Sequence, residues 1–407
     1  MSEPISHSPE DISAIVERIL SETFGGAVEL DRAEALQERE HVARFVVHRA
    51  LAGAPASVVV KRARAWEGQT YDPDSSAPRS VAAHLFNDWV GLQLLSEASG
   101  ADTIAPRFYG GDRAAGLFVI EDLGAGVSPD EALLGDDPAA AEESMVALAR
   151  MLGRMHGATI GWQARYTQMR SALGPYVPDY HDYRWLVDGF LATTTALDVP
   201  LRNGVTADLE TLIDALSNPG PFLAYTHGDP CPDNWVWAGD RLRLFDFEAG
   251  GFRHALTDGV YGRIHFPSCW CVNRLPDHIQ PLMESAYRTE LSRGCPAAQD
   301  DLLFGRAVVE ACAYWTLSLC SRNRRTILEL MDADLEWGIS TVRQRVLLRA
   351  DILAQITAER GHLVSLGAVF ADMAAKLRAR WPTDADAMPY YPAFRANGTR
   401  AGLKTPR

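Results

Sequence analysis

The stretch THGDPCPDN at residues 226–234, followed after a short apolar hairpin by LFDFE at residues 244–248, decides how the rest of the sequence is interpreted. Asp229 and Asn234 stand five residues apart in a loop constrained by prolines, and Asp246 ends a predicted strand. Phosphoryl transfer requires few protein groups: a carboxylate that orients the acceptor hydroxyl, and oxygen ligands that hold Mg²⁺ against the nucleotide phosphates. This stretch contains both kinds of group.

The spacing of Asp229 and Asn234 equals that of Asp and Asn in the protein-kinase catalytic loop H-R-D-L-x-x-x-N. With H-G-D in place of H-R-D and a later D-F-E, the pattern resembles the aminoglycoside phosphotransferase and choline kinase superfamily. The resemblance implies that Asp229 is the catalytic base and that Asn234 and Asp246 bind Mg²⁺. It also implies that His227 braces the loop and that Glu248 helps to position metal or acceptor. The alternative is a turn in which His and Asp make only local hydrogen bonds.

A lysine ends the β-branched run SVVVK at residues 57–61. In kinases a lysine at this place reaches the α and β phosphates of the nucleotide, whereas the alternative is a solvated lysine at a strand end. A predicted helix at residues 82–95 and the stretch LFVIEDLG at residues 117–124, which resembles the interlobe hinge of the superfamily, favour the nucleotide role for Lys61. The hinge residues predicted to contact the nucleotide are Glu121, Asp122 and Leu123.

Two positions depart from the pattern of the superfamily. Asp88 stands in the predicted helix where the superfamily usually has Glu, so we expect a looser or water-mediated ion pair with Lys61, or a solvated Asp. The glycine-rich loop of protein kinases is absent, and QEREHVAR at residues 37–44 occupies the corresponding turn. The backbone amides predicted to cover the phosphates are those of Arg39, Glu40 and His41.

The hydrophobic pattern divides the chain into a strand-rich first part and a helical second part. An amphipathic helix is predicted from SPED at residues 8–11 to Gly25. Strand-like runs follow at residues 42–47, 57–60 and 117–120. Helical periodicity dominates from residue 139 onward, with one hairpin between residues 235 and 245, and predicts helices at residues 139–156, 183–195, 207–217, 300–321, 333–360 and 362–381.

This organisation, together with the resemblance, predicts an α+β fold that is bilobal and protein-kinase-like. A small β-rich lobe at residues 1–122 is predicted to bind the nucleotide. A large, mainly helical lobe at residues 123–392 is predicted to carry the catalytic loop and the acceptor site. Residues 393–407 are predicted to form a flexible tail, because they combine four bases with no acid and little apolar periodicity.

Composition excludes several classes of function. The net charge is −14, and no segment is a basic surface of the kind that nucleic-acid binding requires. The N-terminus lacks the basic segment followed by an apolar run that a signal peptide needs, and no run of 18 uncharged apolar residues is present. A membrane partner is therefore not expected, and the protein is predicted to be cytoplasmic. The acidic balance mildly favours a cationic acceptor.

Three further features are interpreted as structural. The six cysteines show no regular spacing and are predicted to be reduced thiols, and Cys269-x-Cys271 lacks the second ligand pair of a zinc site. His156 is predicted to be a packed core residue, and the aromatic run at residues 266–271 a core segment or pocket wall. Asp258 resembles the aspartate that ties the metal loop to the following helix in the superfamily.

The predicted function is that of an ATP-dependent small-molecule kinase, with GTP as an alternative donor and Mg²⁺ as cofactor. The acceptor is a hydroxyl of an aminoglycoside-like antibiotic or of a small metabolite, and the protein is a monomer or homodimer. A protein kinase is disfavoured by the missing glycine loop and the missing A-P-E segment. A nucleotide-binding pseudokinase scaffold is disfavoured because Lys61, Asp229, Asn234 and Asp246 are all present.

Overall fold

The computed structural model describes residues 9–31, 34–35, 41–50, 53–65, 68–100, 103–176, 182–321, 326–381 and 388–395. The chain forms two compact units. The first unit comprises Met1–Gly126, Gly161–Asp179 and Val236–Gly251, and the second comprises Val127–Ile160, Tyr180–Trp235 and Phe252–Arg407. The first unit therefore includes two segments, Gly161–Asp179 and Val236–Gly251, that were predicted to belong to the helical lobe.

The elements follow one another in a mixed order. The strands are β1 (Glu29–Leu30), β2 (Glu34–Ala35), β3 (Val42–Arg49), β4 (Ser57–Arg62), β5 (Phe108–Asp112), β6 (Leu117–Glu121), β7 (Leu223–Thr226), β8 (Trp235–Ala238), β9 (Arg241–Leu244), β10 (Gly251–His254), β11 (Glu336–Trp337) and β12 (Ser340–Thr341). The helices are α1 (Pro9–Phe24), α2 (Val81–Ser99), α3 (Pro129–Leu134), α4 (Pro138–Thr159), α5 (Gln163–Leu173), α6 (Arg184–Ala196), α7 (Val205–Ser217), α8 (Leu256–Gly259), α9 (Ile279–Leu291), α10 (Asp301–Leu317), α11 (Val342–Arg360) and α12 (Val364–Arg380).

The sheet of the first unit is antiparallel, with strand order β1-β3-β4-β6-β5 and β2 paired to β3. Successive side chains of a strand point to opposite faces. Val58 and Val60 of β4 are fully buried in one core cluster with the apolar face of α1. Lys61 therefore belongs to the opposite face, where Trp89 of α2 packs against Phe118 of β6. This alternation directs the Lys61 side chain toward α2.

The second unit is mainly helical, and its helices pack in pairs. Helix α4 packs against α9, and α11 packs against α12. The short strands β7 and β10 pair with each other, and α4 also packs on β7. The predicted α+β fold, with a β-rich first lobe and a mainly helical remainder, is confirmed by these elements.

One predicted helix begins too early. Residues 333–341 were expected to be helical, but β11 and β12 form a hairpin there, and α11 begins only at Val342. Gly338 has a φ of +66°, and a Cβ at this position would lie 1.9 Å from the carbonyl oxygen of Trp270. Thr341 and Gln344 then form a capping box at the start of α11. A helix was predicted across residues 333–341 because the charged and apolar residues of this segment have helical spacing.

The pattern also missed several elements. Strand β5, helices α5 and α9 and the short elements β1, β2, β7, β10, α3 and α8 were not predicted from the sequence. At the end of the chain, Pro392–Phe394 form one turn in which Ala393 is buried. Residues 396–407 of the predicted tail lie outside the described residues.

Asp301–Cys320 is, by length and composition, a helix that could cross a membrane. In this fold, however, 72% of its apolar 18-residue stretch is buried inside the protein. Burial on this scale is typical of a core helix. The cytoplasmic localisation stays a prediction.

The close packing of α4 against α9 provides a test of the fold. A Cβ at Gly153 would lie 2.3 Å from the backbone oxygen of Tyr287, whereas a Cβ at Gly157 would lie 3.2 Å from that of Glu290. Both Gly→Ala changes gain the same helix propensity of about 1 kcal/mol. We expect Gly153→Ala to lower the free energy of unfolding by about 1–3 kcal/mol relative to Gly157→Ala, measured by urea denaturation. Equal stability of the two variants would contradict this packing.

Candidate active site

Lys61, Asp88 and Asp246 meet in the first unit. Lys61 Nζ lies 2.5 Å from Asp88 Oδ2, and it also forms an ion pair with Asp246 Oδ1. The Asp88 side chain is only 2% exposed, and that of Lys61 19%. The predicted pairing of Lys61 with Asp88 is therefore present, and it is direct rather than loose or water-mediated. The expectation failed because α2 packs closely enough on the sheet for the shorter side chain to reach.

The charges of this cluster are strongly coupled. Burial opposes the charge of the Lys61 ammonium, but the attraction of Asp88 and Asp246 outweighs burial and raises the pKa of Lys61. Burial raises the pKa of Asp88 against the attraction of Lys61, and the Asp246 carboxylate adds to this rise. Two carboxylates thus share one ammonium, and such a group attracts a further cation.

Asp88 also fixes the backbone that follows Asp246. Phe247 N donates to Asp88 Oδ1 at 2.9 Å, so the two oxygens of Asp88 bind Lys61 and the segment after β9. Asp246 itself has a φ of +71°, in the left-handed region. Non-glycine residues adopt this conformation only where neighbouring contacts impose it. Glu248, whose side chain is exposed, accepts through its backbone oxygen from Asn87 Nδ2 at 3.2 Å.

The acidic side chains of the predicted hinge are used inside the first unit. Glu121 Oε2 accepts from Arg243 Nη2 at 2.7 Å. Asp122 accepts from both Nε and Nη2 of Arg44, at 2.6 and 2.9 Å, and from Ser57 Oγ at 2.7 Å. Although burial opposes it, these hydrogen bonds lower the pKa of Asp122. The backbone N–H of Glu121 is also engaged, with the backbone oxygen of Arg107 at 2.8 Å, and Leu123 is half-buried.

The predicted phosphate-covering turn is described only in part. Arg39 and Glu40 lie outside the described residues. His41 directly precedes β3, and its backbone oxygen accepts from Arg62 N at 2.8 Å. Its contact with a nucleotide stays a prediction.

In the second unit, Asp258 holds the loop that contains Asp229. Its Oδ2 accepts from His227 N at 2.6 Å and its Oδ1 from Gly228 N at 3.3 Å. Asp258 is 1% exposed, and Gly228 has a φ of +81°. Asp258 is structural, as predicted, and the segment that it holds is the one preceding Asp229. His227 Nδ1 accepts from Asp229 N at 3.2 Å, which is the predicted bracing role.

Asn234 closes the same loop. Its Nδ2 donates to the backbone oxygen of Asp229 at 2.8 Å. With its amide nitrogen engaged in this way, Asn234 can offer its amide oxygen to a cation. The loop thus holds a carboxylate and a carbonyl-type oxygen at fixed positions in the second unit.

Ser268 is a contact of Asp229 that the sequence did not indicate. Its Oγ donates to Asp229 Oδ1 and lies 3.1 Å from the hydroxyl of Tyr261. The run at residues 266–271 was interpreted as a core segment or pocket wall, and Ser268 lies 39 positions after Asp229. No local pattern connects residues at that separation.

The prediction that all cysteines are reduced is wrong for one pair. Cys231 and Cys269 form a disulfide, with Cα atoms 5.5 Å apart. Irregular spacing concealed this pair, because a disulfide depends on proximity in the fold and not on spacing in the sequence. Both sulfurs lie within 4.8 Å of an Asp229 carboxylate oxygen, but sulfurs bonded to each other offer no thiolate to a metal. Cys271, Cys295, Cys312 and Cys320 are buried free cysteines.

His156 is a fully buried residue of α4, as predicted. Its Nδ1 is hydrogen-bonded to Tyr287 Oη at 2.8 Å, and its Nε2 lies 3.5 Å from Asp258 Oδ2. His156 therefore supports the aspartate that holds the Asp229 loop. This acidic partner was not predicted, because Asp258 lies 102 positions after His156 in the chain.

One protein-family model matches the part of the chain that contains the candidate site. Residues 34–272, which include Lys61, Asp88, Asp229, Asn234 and Asp246, match the sequence model of the phosphotransferase enzyme family. No curated protein sequence matches the chain significantly.

Several solved structures are similar at low identity. A choline kinase from Streptococcus pneumoniae is 14% identical, with 84% of this chain and 99% of that chain covered and a TM-score of 0.41. A putative aminoglycoside phosphotransferase from Ralstonia eutropha is 13% identical, with coverages of 92% and 98% and a TM-score of 0.42. A macrolide 2′-phosphotransferase from Brachybacterium faecium is 14% identical, with coverages of 74% and 93% and a TM-score of 0.36.

Removal of the shared ammonium tests the cluster of the first unit. Lys61→Met leaves two carboxylates facing each other without a cation, so we expect the free energy of unfolding to fall by about 2–4 kcal/mol. The double variant Lys61→Met/Asp88→Asn should recover most of this loss, because the Asn carbonyl still accepts from Phe247 N. Urea denaturation of the wild type, both single variants and the double variant measures the coupling. Additive effects would contradict the cluster.

Proposed function

The chain belongs to the phosphotransferase enzyme family, and on that premise we propose that it transfers the γ-phosphoryl group of ATP or GTP to a hydroxyl of a small molecule. The observation that carries the proposal is the half-buried ammonium of Lys61, held between the carboxylates of Asp88 and Asp246. An ammonium that is already fixed stabilises negative charge on phosphate oxygens, and it needs no reorganisation during the reaction.

The proposed role of Asp229 is that of the base that orients and accepts the proton of the acceptor hydroxyl. Its backbone is held by Asn234 and His227, and its carboxylate by Ser268. A carboxylate that is already oriented loses little conformational freedom when the acceptor binds. Asp88 is the residue that positions Lys61.

Asp246 and Asn234 are the proposed ligands of Mg²⁺. Both present hard oxygen atoms, a carboxylate and an amide oxygen, and these are the donors that Mg²⁺ prefers. The excess of carboxylate over ammonium around Asp246 also suits a divalent cation. When bound, the ion neutralises charge on the phosphates of the nucleotide.

The proposed nucleotide contacts at the hinge come from the backbone, because Glu121 and Asp122 use their side chains to bind Arg243 and Arg44. This arrangement does not distinguish adenine from guanine by a charged group. The proposed acceptor class includes aminoglycoside-like antibiotics and small metabolites, and the net charge of −14 favours cationic members. We further propose a cytoplasmic monomer or homodimer.

A panel of hydroxyl compounds tests the proposal. Purified protein is incubated with MgATP or MgGTP and with cationic or neutral acceptors, and products are identified by the mass gain of one phosphoryl group. Transfer to a small molecule supports the proposal. Transfer only to protein substrates would support a protein kinase instead, and nucleotide binding without transfer to any acceptor would support a pseudokinase scaffold.

Asp229→Asn should lower turnover by at least about 100-fold, because the amide cannot accept the proton of the acceptor. Nucleotide affinity, measured by titration calorimetry, should stay within about twofold, since the change is confined to the acceptor side of the reaction. Asp240→Asn, in the exposed turn between β8 and β9, is the matched control and should retain full activity. Equal turnover of the Asp229 variant and the wild type would remove Asp229 from the mechanism.

Asp246→Ala should weaken nucleotide binding in the presence of Mg²⁺ by about 10- to 100-fold, because one metal ligand is lost. Binding of the nucleotide in the presence of a chelator should change much less, since the ion is then absent for both proteins. Calorimetric titrations under the two conditions separate these effects. Unchanged affinity for the magnesium complex would show that Asp246 is not a ligand.

A further inference from the structure

The Asp229 carboxylate lies in a small network of hydroxyl groups in the second unit. Ser268 Oγ donates to Asp229 Oδ1 and lies 3.1 Å from Tyr261 Oη. Tyr261 Oη also lies 3.2 Å from the backbone oxygen of Gly228, and its single proton goes either to this oxygen or to Ser268 Oγ. The side chain of Asp229 and the backbone before it therefore lie beside the same two hydroxyl residues.

A covalent bond lies directly beside this network. Cys231 is two residues after Asp229, Cys269 directly follows Ser268, and the two cysteines are joined. Cys231 Sγ lies 3.0 Å from Asp229 Oδ1. A sulfur in a disulfide carries no proton, so this approach is a contact and not a hydrogen bond. The disulfide thus links the two loops at the positions where Ser268 meets Asp229.

The Ser268 loop, defined as residues 265–271, is held in an unfavourable backbone conformation. His265 and Phe266 have φ values of +54° and +52°. Such values in non-glycine residues persist only where surrounding contacts impose them. A loop of this kind changes conformation more readily when one of its attachments is removed.

The other attachments of the Ser268 loop come from buried groups. Arg345 Nη1 donates to the backbone oxygen of Cys269 at 2.6 Å, and Arg349 Nη2 donates to that of Pro267 at 2.6 Å. Trp270 Nε1 donates to Asp233 Oδ2 at 2.9 Å. Besides the bond from Ser268 to Asp229, the disulfide and the Trp270 bond connect the Ser268 loop to the Asp229 loop.

We propose that Ser268 is a positioning residue for the Asp229 carboxylate, and that the Cys231–Cys269 disulfide keeps it there, so that reduction of the disulfide lowers turnover. The inference rests on the proposed function. With Oδ1 bound to Ser268, the carboxylate plane is fixed and Oδ2 is directed to the acceptor hydroxyl. Reduction releases this constraint and gives Cys231 a thiol proton that competes for Oδ1.

The redox step is a thiol–disulfide exchange with a small-molecule dithiol. Two successive exchanges break the Cys231–Cys269 bond, return one proton to each sulfur and convert the dithiol into its cyclic disulfide. The two electrons that reduce the protein disulfide come from the dithiol. Dithiothreitol is the dithiol that tests this step.

Variants of Ser268 test the positioning role. Ser268→Ala should lower kcat by about tenfold with little change in KM for the nucleotide, because an oriented charged hydrogen bond is lost. Ser268→Thr keeps the hydroxyl and should recover most of the activity. Ser292→Ala, which removes a hydroxyl bonded to the Arg288 backbone oxygen in the same unit, is the control and should be silent. Equal losses in the Ala and Thr variants, or full activity of Ser268→Ala, would overturn the role of Ser268.

Variants of the cysteines test the covalent restraint. Dithiothreitol should lower kcat of the wild type several-fold, and Cys269→Ala should have this lower kcat without added dithiol and should not respond further. Cys271→Ala, two residues away and free, should keep both the full activity and the response. A response that persists in Cys269→Ala, or its absence in the wild type, would overturn the role of the disulfide.

Two measurements that do not require turnover separate this inference from the proposed function. Peptide mapping under non-reducing conditions must find the Cys231–Cys269 link, and hydrogen exchange of the amides of residues 228–234 must speed up after reduction. If both hold but no acceptor is phosphorylated, the proposed function fails and the loop restraint stands. Six free thiols in the oxidised protein, or exchange that reduction does not change, would overturn the inference even in an active kinase.

Discussion

The ion pairs of Lys61 are the interaction on which the arrangement of the first unit depends. A buried ammonium is unfavourable unless carboxylates surround it, and here Asp88 from a helix and Asp246 from the segment after a strand supply them. The same Asp88 side chain also accepts from the backbone of Phe247. One buried carboxylate therefore joins a strand, a helix and the segment that carries the proposed metal ligand. Lys61 and the proposed metal ligand Asp246 therefore share a single support, the Asp88 side chain.

In the second unit, too, a buried carboxylate holds the backbone, and there the residue is Asp258. Asp258, also almost fully buried, accepts from two consecutive backbone amides before Asp229, and His156 lies against it. In each unit a hydrogen-bonded, buried carboxylate fixes a segment of backbone. Asp88 holds the segment after Asp246, and Asp258 holds the segment before Asp229. Backbone amides held in this way cannot turn to other partners, which makes the loop conformation unique. The free Cys271 near this loop has a raised pKa because of burial, so its thiol stays protonated.

The sequence predicted the features that depend on local spacing. Asp229 and Asn234 lie in one loop, and Lys61 and Asp88 lie in a strand and a helix whose apolar runs are visible in the sequence. Contacts between distant segments were predictable only where the family resemblance supplied them, as for Lys61 with Asp88. The bonds from Ser268 to Asp229 and from Cys231 to Cys269 span 39 and 38 residues without any repeated pattern. The β11–β12 hairpin was missed for another reason, because a two-residue strand is too short for its alternation to be distinguished from a helical pattern.

At Asp246 the preference of the backbone and the preference of the side chain oppose each other. At a φ of +71°, glycine or asparagine would be more favourable for the backbone than aspartate. Either residue would, however, remove one of the two carboxylates that neutralise the Lys61 ammonium. A substitution at this position would therefore relieve local backbone strain at the cost of an ammonium with a single carboxylate partner.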